Sequence, residues 1–294
     1  MPDADFEEKE YEIPLYLELA DGSPYVWSPG QVLEKSLGLD GMQHTMNSTF
    51  WKLVSRGLSI PTGIDLNSVR FHPNIKRQLP TFRCNLMLQV KRPQYMKNRV
   101  GGYSGQSPYY RFTTETHQQR TLASLAMSVG NRAFIGYASP AFYTLTELYR
   151  HIVYSNLVSQ STFISALQLI GHHHWAYSMP GTSGQALSKP EFVTGKPFVD
   201  QLERLAYEDI EWKSQNDAES NIDSVTTTLH ELAQQIRRVC MEESKSENPF
   251  AGDALYWMND MESSRNKETH PAIRNFAAIQ IFCSVFDVVW FVVG

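Results

Sequence analysis

Apolar and polar residues alternate from Tyr11 to Leu19, with Ile13, Leu15, Leu17 and Leu19 on one side, which predicts a half-buried strand closed by a turn at Asp21-Gly22. Ser28-Pro29 then opens a predicted helix that Gly38 ends, with Val32, Leu33 and Leu37 on one face; the serine caps free amides and proline suits the first turn. Thr81 to Val90 predicts a strand with Phe82, Cys84, Leu86 and Leu88 on one face, stopped by Pro93. After a long polar loop, Thr116 to Val129 carries Leu122, Leu125, Ala126 and Val129 at helical spacing. Gly130-Asn131 leads into a strand over Ala133 to Ala138, and a helix is expected over Pro140 to Tyr154, with Ser139-Pro140 as its start.

This order of elements implies an α/β fold, a mixed sheet flanked by helices. Beyond about residue 160 the pattern turns loop-rich, around Pro180 to Gly184 and Pro190 to Pro197. Helices return at Ile222 to Glu243, where Val225, Leu229, Leu232, Ile236 and Val239 keep helical spacing, and at Pro271 to Val285. The acidic interval from Glu208 to Asp223 reads as a connection. The chain is therefore expected to divide into a core over 1–160 and a C-terminal extension over 161–294, loop-rich and then helical, either separate or packed on the same core. The apolar tail from Phe276 to Gly294 has about the ~20 residues of a membrane span. It carries Gln280 and Asp287, however, so a buried helix followed by a strand is expected instead.

A 42% hydrophobic content suits a globular core, and Met1 to Glu10 is acidic with no apolar run, unlike a secretory signal. Cys84, Cys240 and Cys283 are too scattered for a disulfide framework or a cysteine zinc site, so a reducing, cytoplasmic setting is expected. The net charge of −5 speaks against a polyanionic partner until its distribution is seen. Residues 35–190 hold 16 of the 26 Lys and Arg against four acids, Asp40, Asp65, Glu115 and Glu147. A nucleic acid would be drawn to that region, although acidic ends neutralising a basic middle would give the same numbers.

Hydrolysis of a phosphodiester needs an activated water and a counter-charge for the phosphate, both of which a carboxylate-held Mg²⁺ supplies. A strand ending in an acid or amide, any residue and then lysine sets the first and third side chains on one face. Gln89-Val90-Lys91 has this form at the end of an apolar strand.

With Glu34 in Val32-Leu33-Glu34-Lys35 and Asp40 in Leu37-Gly38-Leu39-Asp40, residues 28–154 resemble the PD-(D/E)XK, restriction-endonuclease-like superfamily. The likeness is to its Gln-X-Lys variant, found in Mrr-like enzymes and bacterial defence nucleases. The resemblance implies Mg²⁺ or Mn²⁺ held by Glu34, Asp40 and Gln89, with Lys91 positioning the attacking water. It also implies DNA as substrate, a role as an anti-phage effector, and control by self-association or a regulatory partner. Gln89 stands where a carboxylate is commoner, and Asp65 in Gly63-Ile64-Asp65-Leu66 rivals Asp40 for the central position.

No acid occurs from Leu66 to Thr114, while Arg92, Lys97 and Arg99 fall there beside Tyr95, Tyr103, Tyr109 and Tyr110 in a glycine-containing loop. That composition suits phosphate contact and base stacking, and equally a solvated basic loop. Arg92, Lys97, Arg99, Tyr103 and Gln118 are the candidate nucleic-acid contacts, with Gln119 beside the last. His172-His173-His174 offers three further readings: metal ligands for a phosphoesterase, phosphate contacts, or packed structural residues. A nuclease-like fold that binds nucleic acid or a partner without cutting is the competing function.

Overall fold

The computed structural model describes residues 3–19, 26–27, 42–43, 84–99, 102–130, 133–188, 190–193, 198, 201, 221–246, 248–264 and 271–293. Glu34, Asp40 and Asp65 lie outside them, as do the expected helix from Ser28 to Gly38 and residues 208–220 of the acidic interval.

The first element departs from expectation: Glu8–Leu19 is a helix, α1, in place of the strand. Its inner face is Tyr11, Leu15 and Tyr16 with Glu12, while Ile13, part of the apparent alternation, is exposed. Helical spacing of two tyrosines and a leucine thus outweighs a period-two pattern that one exposed isoleucine helped to create. Pro14 sits inside this helix and withholds its amide from the carbonyl of Glu10, an exposed residue whose oxygen can turn to water instead.

Two short strands, β1 (Val26–Trp27) and β2 (Met42–Gln43), pair antiparallel. The main frame is a four-stranded mixed sheet ordered β11-β3-β6-β7, in which β3 is Cys84–Val90, β6 Ala133–Pro140, β7 Ser161–Ser165 and β11 Val289–Val293. Strands β3 and β6 run parallel, joined through helix α2, Thr116–Val129, at the bounds its sequence pattern predicts. Gly130 stops that helix with φ 57, a conformation that favours glycine. Strand β6 continues through Ser139 and Pro140, so the following helix, α3 (Leu145–Val153), begins later than expected. Its start is a capping box in which the Thr144 hydroxyl accepts from the Glu147 amide and the Glu147 carboxylate accepts from the Thr144 amide.

A second, five-stranded antiparallel sheet is ordered β10-β9-β8-β5-β4, from β4 (Gln94–Met96), β5 (Tyr109–Thr113), β8 (His174–Tyr177), β9 (Gly184–Leu187) and β10 (Glu191–Val193). These strands occupy stretches expected to be loop. Three C-terminal helices follow, α4 (Asn221–Ser244), α5 (Pro249–Ser264) and α6 (Pro271–Phe286), and the tail is a helix then a strand, as expected. Among the described residues no helix is long and apolar enough to cross a membrane.

Strand alternation divides the core in two. Leu86, Leu88, Val90, Phe134 and Ala138 pack with Tyr11, Leu15, Tyr16 and Leu148. Met87, Ile135 and Tyr137 pack with Leu122, Leu125 and Phe112, with Trp175 and Tyr177 of the second sheet, and with Ile236 and Phe282 of the C-terminal helices. Each leucine, isoleucine, valine, methionine or phenylalanine among them contributes roughly 1.5–3 kcal/mol by leaving water. A boundary at residue 160 falls between β6 and its partner β7, and β11 from the far end of the chain pairs with β3, so residues beyond 160 supply two strands of the main sheet.

Candidate active site

The Gln-X-Lys segment lies at the C-terminal end of β3, an interior strand with a parallel neighbour, the end at which α/β sheets commonly bind ligands. Leu88 and Val90 face α1, so Gln89 points to the opposite side with Met87, into the core shared with α2 and the second sheet. It is 1% exposed, and its Oε1 has no hydrogen-bond partner among the described residues. The register sets Tyr137 of β6 directly across from it, and the Tyr137 hydroxyl is likewise buried without a partner. Burial pushes the Tyr137 phenol well above the usual range, so it stays a neutral donor.

Lys91 follows at the exit of the sheet, half-buried, its amide donating to Ala138 O at 2.8 Å so that the ladder reaches it. Its charge is felt at Glu8 of α1. Burial raises the Glu8 carboxyl above its ordinary value, opposed by Lys91 and by the hydrogen bond from the Arg92 amide at 2.9 Å. Burial likewise raises Glu12, against the pull of Lys9, whose Nζ lies 3.0 Å from Glu12 Oε2 and 4.0 Å from Asp287 Oδ1. These acids border the sheet end, yet among the described residues no three His, Cys, Asp or Glu side chains are grouped to hold a metal ion.

The expected nucleic-acid contacts separate into two kinds. Lys97 and Arg99 are exposed on the segment after β4. Arg92 is engaged within the chain, its Nε donating to Ala4 O at 3.0 Å and its Nη1 lying 3.2 Å from Glu7 Oε1, so it ties down the N-terminal segment. Tyr103 is buried and stacked on Tyr109 with ring centroids 3.9 Å apart, which leaves its ring no face for a base. Gln118 is buried and donates to Phe286 O, joining α2 to the end of α6. Its neighbour Gln119 donates to Ala166 O at 2.7 Å, while its own Oε1 has no partner among the described residues.

The three histidines diverge. His172 is buried with Nε2 3.5 Å from Glu191 Oε2, His173 is exposed with Nδ1 3.5 Å from Thr116 Oγ1, and His174 has Nδ1 2.9 Å from Thr113 Oγ1. Tyr137 escapes sequence reasoning because its role depends on a cross-strand register that nothing local announces. Gln119 stands among the sequence candidates, beside Gln118 in the first turns of a well-marked helix.

The geometry defines a mixed α/β protein in which an amide oxygen without a partner among the described residues closes a central strand and a lysine follows it. No family model, curated protein or solved structure matches this chain.

Proposed function

We propose that this chain is a metal-dependent endonuclease hydrolysing phosphodiester bonds in DNA, built on a restriction-endonuclease-like core and serving as an effector of anti-phage defence. The observation that carries the reading is the buried Oε1 of Gln89 at the end of β3, without a partner among the described residues, with Lys91 two residues on and its charge felt at Glu8 of α1. An orphan buried acceptor is costly, and a bound cation is one partner that would relieve it. A helix crossover to a parallel strand, following Gln-X-Lys, also agrees with that core.

Gln89 would give one oxygen to Mg²⁺ or Mn²⁺, and Glu34 and Asp40 would give the carboxylates. When bound, the ion polarises the phosphate and acidifies a water. Lys91 would orient that water and offset charge on the phosphate. Lys97 and Arg99 would meet the backbone of the duplex.

Purified protein incubated with plasmid DNA is expected to cut only when Mg²⁺ or Mn²⁺ is added. Lys91→Ala should abolish that cutting while leaving the circular dichroism spectrum unchanged; undiminished cleavage by the variant rejects the assignment.

A second reading, a nuclease-like fold that binds nucleic acid or a protein partner without cutting, is favoured by the amide in place of a carboxylate at residue 89. Equal DNA binding with and without Mg²⁺, and no cleavage, would select it. Control by self-association or by a regulatory partner belongs to the proposal under either reading.

A further inference from the structure

The histidine run and the second sheet hold another arrangement, independent of the nuclease reading. Tyr109, Arg111 and Thr113 alternate with Phe112 and so share the other face of β5, where Tyr109 packs in a smaller buried cluster with Met96, Tyr103, Ala176 and Leu187. In the β5–β8 ladder Thr113 stands opposite His174 and Arg111 opposite Ala176, which makes Arg111 and His174 diagonal neighbours with only a methyl group directly across from the guanidinium. The Arg111 side chain is held by Nη2 donating to Gln94 Oε1 at 2.9 Å. Its Nε is buried and has no acceptor among the described residues. Thr113 Oγ1 lies 2.9 Å from His174 Nδ1, which leaves Nε2 for another partner.

Positive charge predominates around this corner. Burial holds the His174 pKa below the usual histidine range, and Arg111 and His173 depress it further. Lys97 and Arg99 are exposed on the segment after β4, and Arg99 acts on Tyr103, which stacks on Tyr109 of the same face. Of the nearby acids, Glu191 engages His172, and Glu115 is exposed at the start of α2.

We infer that the Arg111–Thr113–His174 corner is a phosphate-binding site, in which Arg111 Nε–H and His174 Nε2–H donate to anionic oxygens and Thr113 fixes the imidazole. An oxyanion would satisfy the guanidinium N–H with a charge-assisted hydrogen bond and offset the effect of Arg111 that disfavours protonation of His174. Because the anion favours the charged imidazole, binding strengthens as pH falls through the His174 titration.

The phosphate could come from a nucleic-acid backbone or from a small phosphate ion, and nuclear magnetic resonance distinguishes them. The His174 ring and the Arg111 Nε–H are followed while inorganic phosphate, a short DNA duplex or acetate is added at matched ionic strength. Either phosphate probe is expected to raise the His174 pKa by about one unit and move the Arg111 Nε–H resonance. Arg111→Gln should remove the His174 response. Greater potency of the duplex identifies a nucleic-acid backbone, and greater potency of inorganic phosphate identifies a small ion. The inference is overturned by an equal response to acetate, by a response that survives in Arg111→Gln, or by none from either phosphate probe. Should that variant fail to fold, an Arg111 Nε–H resonance of the unaltered protein that stays fixed under saturating phosphate overturns it equally.

Discussion

Gln89 and Tyr137 stand directly opposite each other on the parallel pair β3–β6, both buried, and neither the amide oxygen nor the phenolic hydroxyl has a hydrogen-bond partner among the described residues. A buried hydroxyl without a partner costs about 1–3 kcal/mol, so removing it need not destabilise the fold. Tyr137→Phe is expected to unfold in urea, free of divalent ions, within about 1 kcal/mol of the unaltered protein or above it. A loss of more than about 2 kcal/mol would mean the hydroxyl already makes a strong bond in the folded chain. If the hydroxyl donates to a site water, the same variant should cut DNA more slowly while keeping that stability.

Gln89→Glu tests the cation more directly. A carboxylate at this buried position is expected to lower stability by about 2 kcal/mol or more in the presence of a chelator, because burial strips its charge of hydration and the neutral Tyr137 hydroxyl opposite offsets only part of that. Millimolar Mg²⁺ should return much of that loss as a rise in Tm, by mass action on the folded state. A variant whose Tm ignores Mg²⁺ and Mn²⁺ would count against a cation beside residue 89.

How far the sequence reveals this arrangement depends on where each determinant lies. Helix α2 is legible because Leu122, Leu125, Ala126 and Val129 fix one face and Gly130 ends it, all within one short stretch. The strand that carries Gln89 is legible in the same way, as a short apolar run, and Lys91 follows just beyond its end at Val90. Helix α1 misleads because Ile13 and Leu15 feign a strand, while the face that packs is set by Tyr11, Leu15 and Tyr16. Strands β7 to β10 span three to five residues each, too few for a period to show, and their pairing carries the order instead. Helix α5 buries Ala251, Ala254 and Met258, a face too small to stand out, though Asn248-Pro249 is a recognisable start. The Tyr137 partner is invisible because it arises from register across the crossover.

Thr144→Ala should cost about 1 kcal/mol by opening the cap of α3. Burial raises the Glu147 carboxyl, but hydrogen bonds from the Thr144 hydroxyl and from the amides of Thr144 and Tyr143 outweigh it and hold the group below its ordinary value. A carboxyl lowered in the folded state adds stability above its unfolded pKa and loses it as pH falls through the folded one. The deficit of the variant should therefore shrink in acid; a deficit independent of pH would sink the link to Glu147.

Glu12 carries the opposite sign. Burial, the largest influence, raises its carboxyl despite Lys9 and a hydrogen bond with Tyr16, so the folded chain holds this proton more tightly than the unfolded one. Its contribution is fully present below the unfolded pKa and is lost as pH rises through the folded value. Glu12→Gln, which keeps an acceptor for Tyr16, should gain in Tm over the unaltered protein as pH rises from the acid range to neutrality. A difference that stays flat would show that Lys9 fully compensates the buried charge.

Asn248 joins the two halves of the helical layer. Its Nδ2 donates to Thr121 Oγ1 at 2.9 Å and to His117 O at 3.2 Å on α2, while its Oδ1 accepts from the Ala251 amide at 3.4 Å at the start of α5. One buried side chain therefore caps one helix and grips another, and Pro249 behind it withholds an amide that this first turn could not have used. Asn248→Ala is expected to cost about 2–3 kcal/mol, the sum of a lost cap and of the lost bonds to Thr121 Oγ1 and His117 O, the carbonyl keeping the Thr121 hydroxyl as a donor. Asn248→Asp separates the two roles, because it preserves the cap acceptor but sets a buried carboxylate against the His117 carbonyl, with only the Thr121 hydroxyl able to turn and donate to it; the loss should shrink as the carboxyl protonates. Pairing each change with Thr121→Val in a double-mutant cycle should give a coupling of at least about 0.5 kcal/mol. Additive losses would mean that α5 is held to α2 by the packing of Ala251 and Ala254 alone.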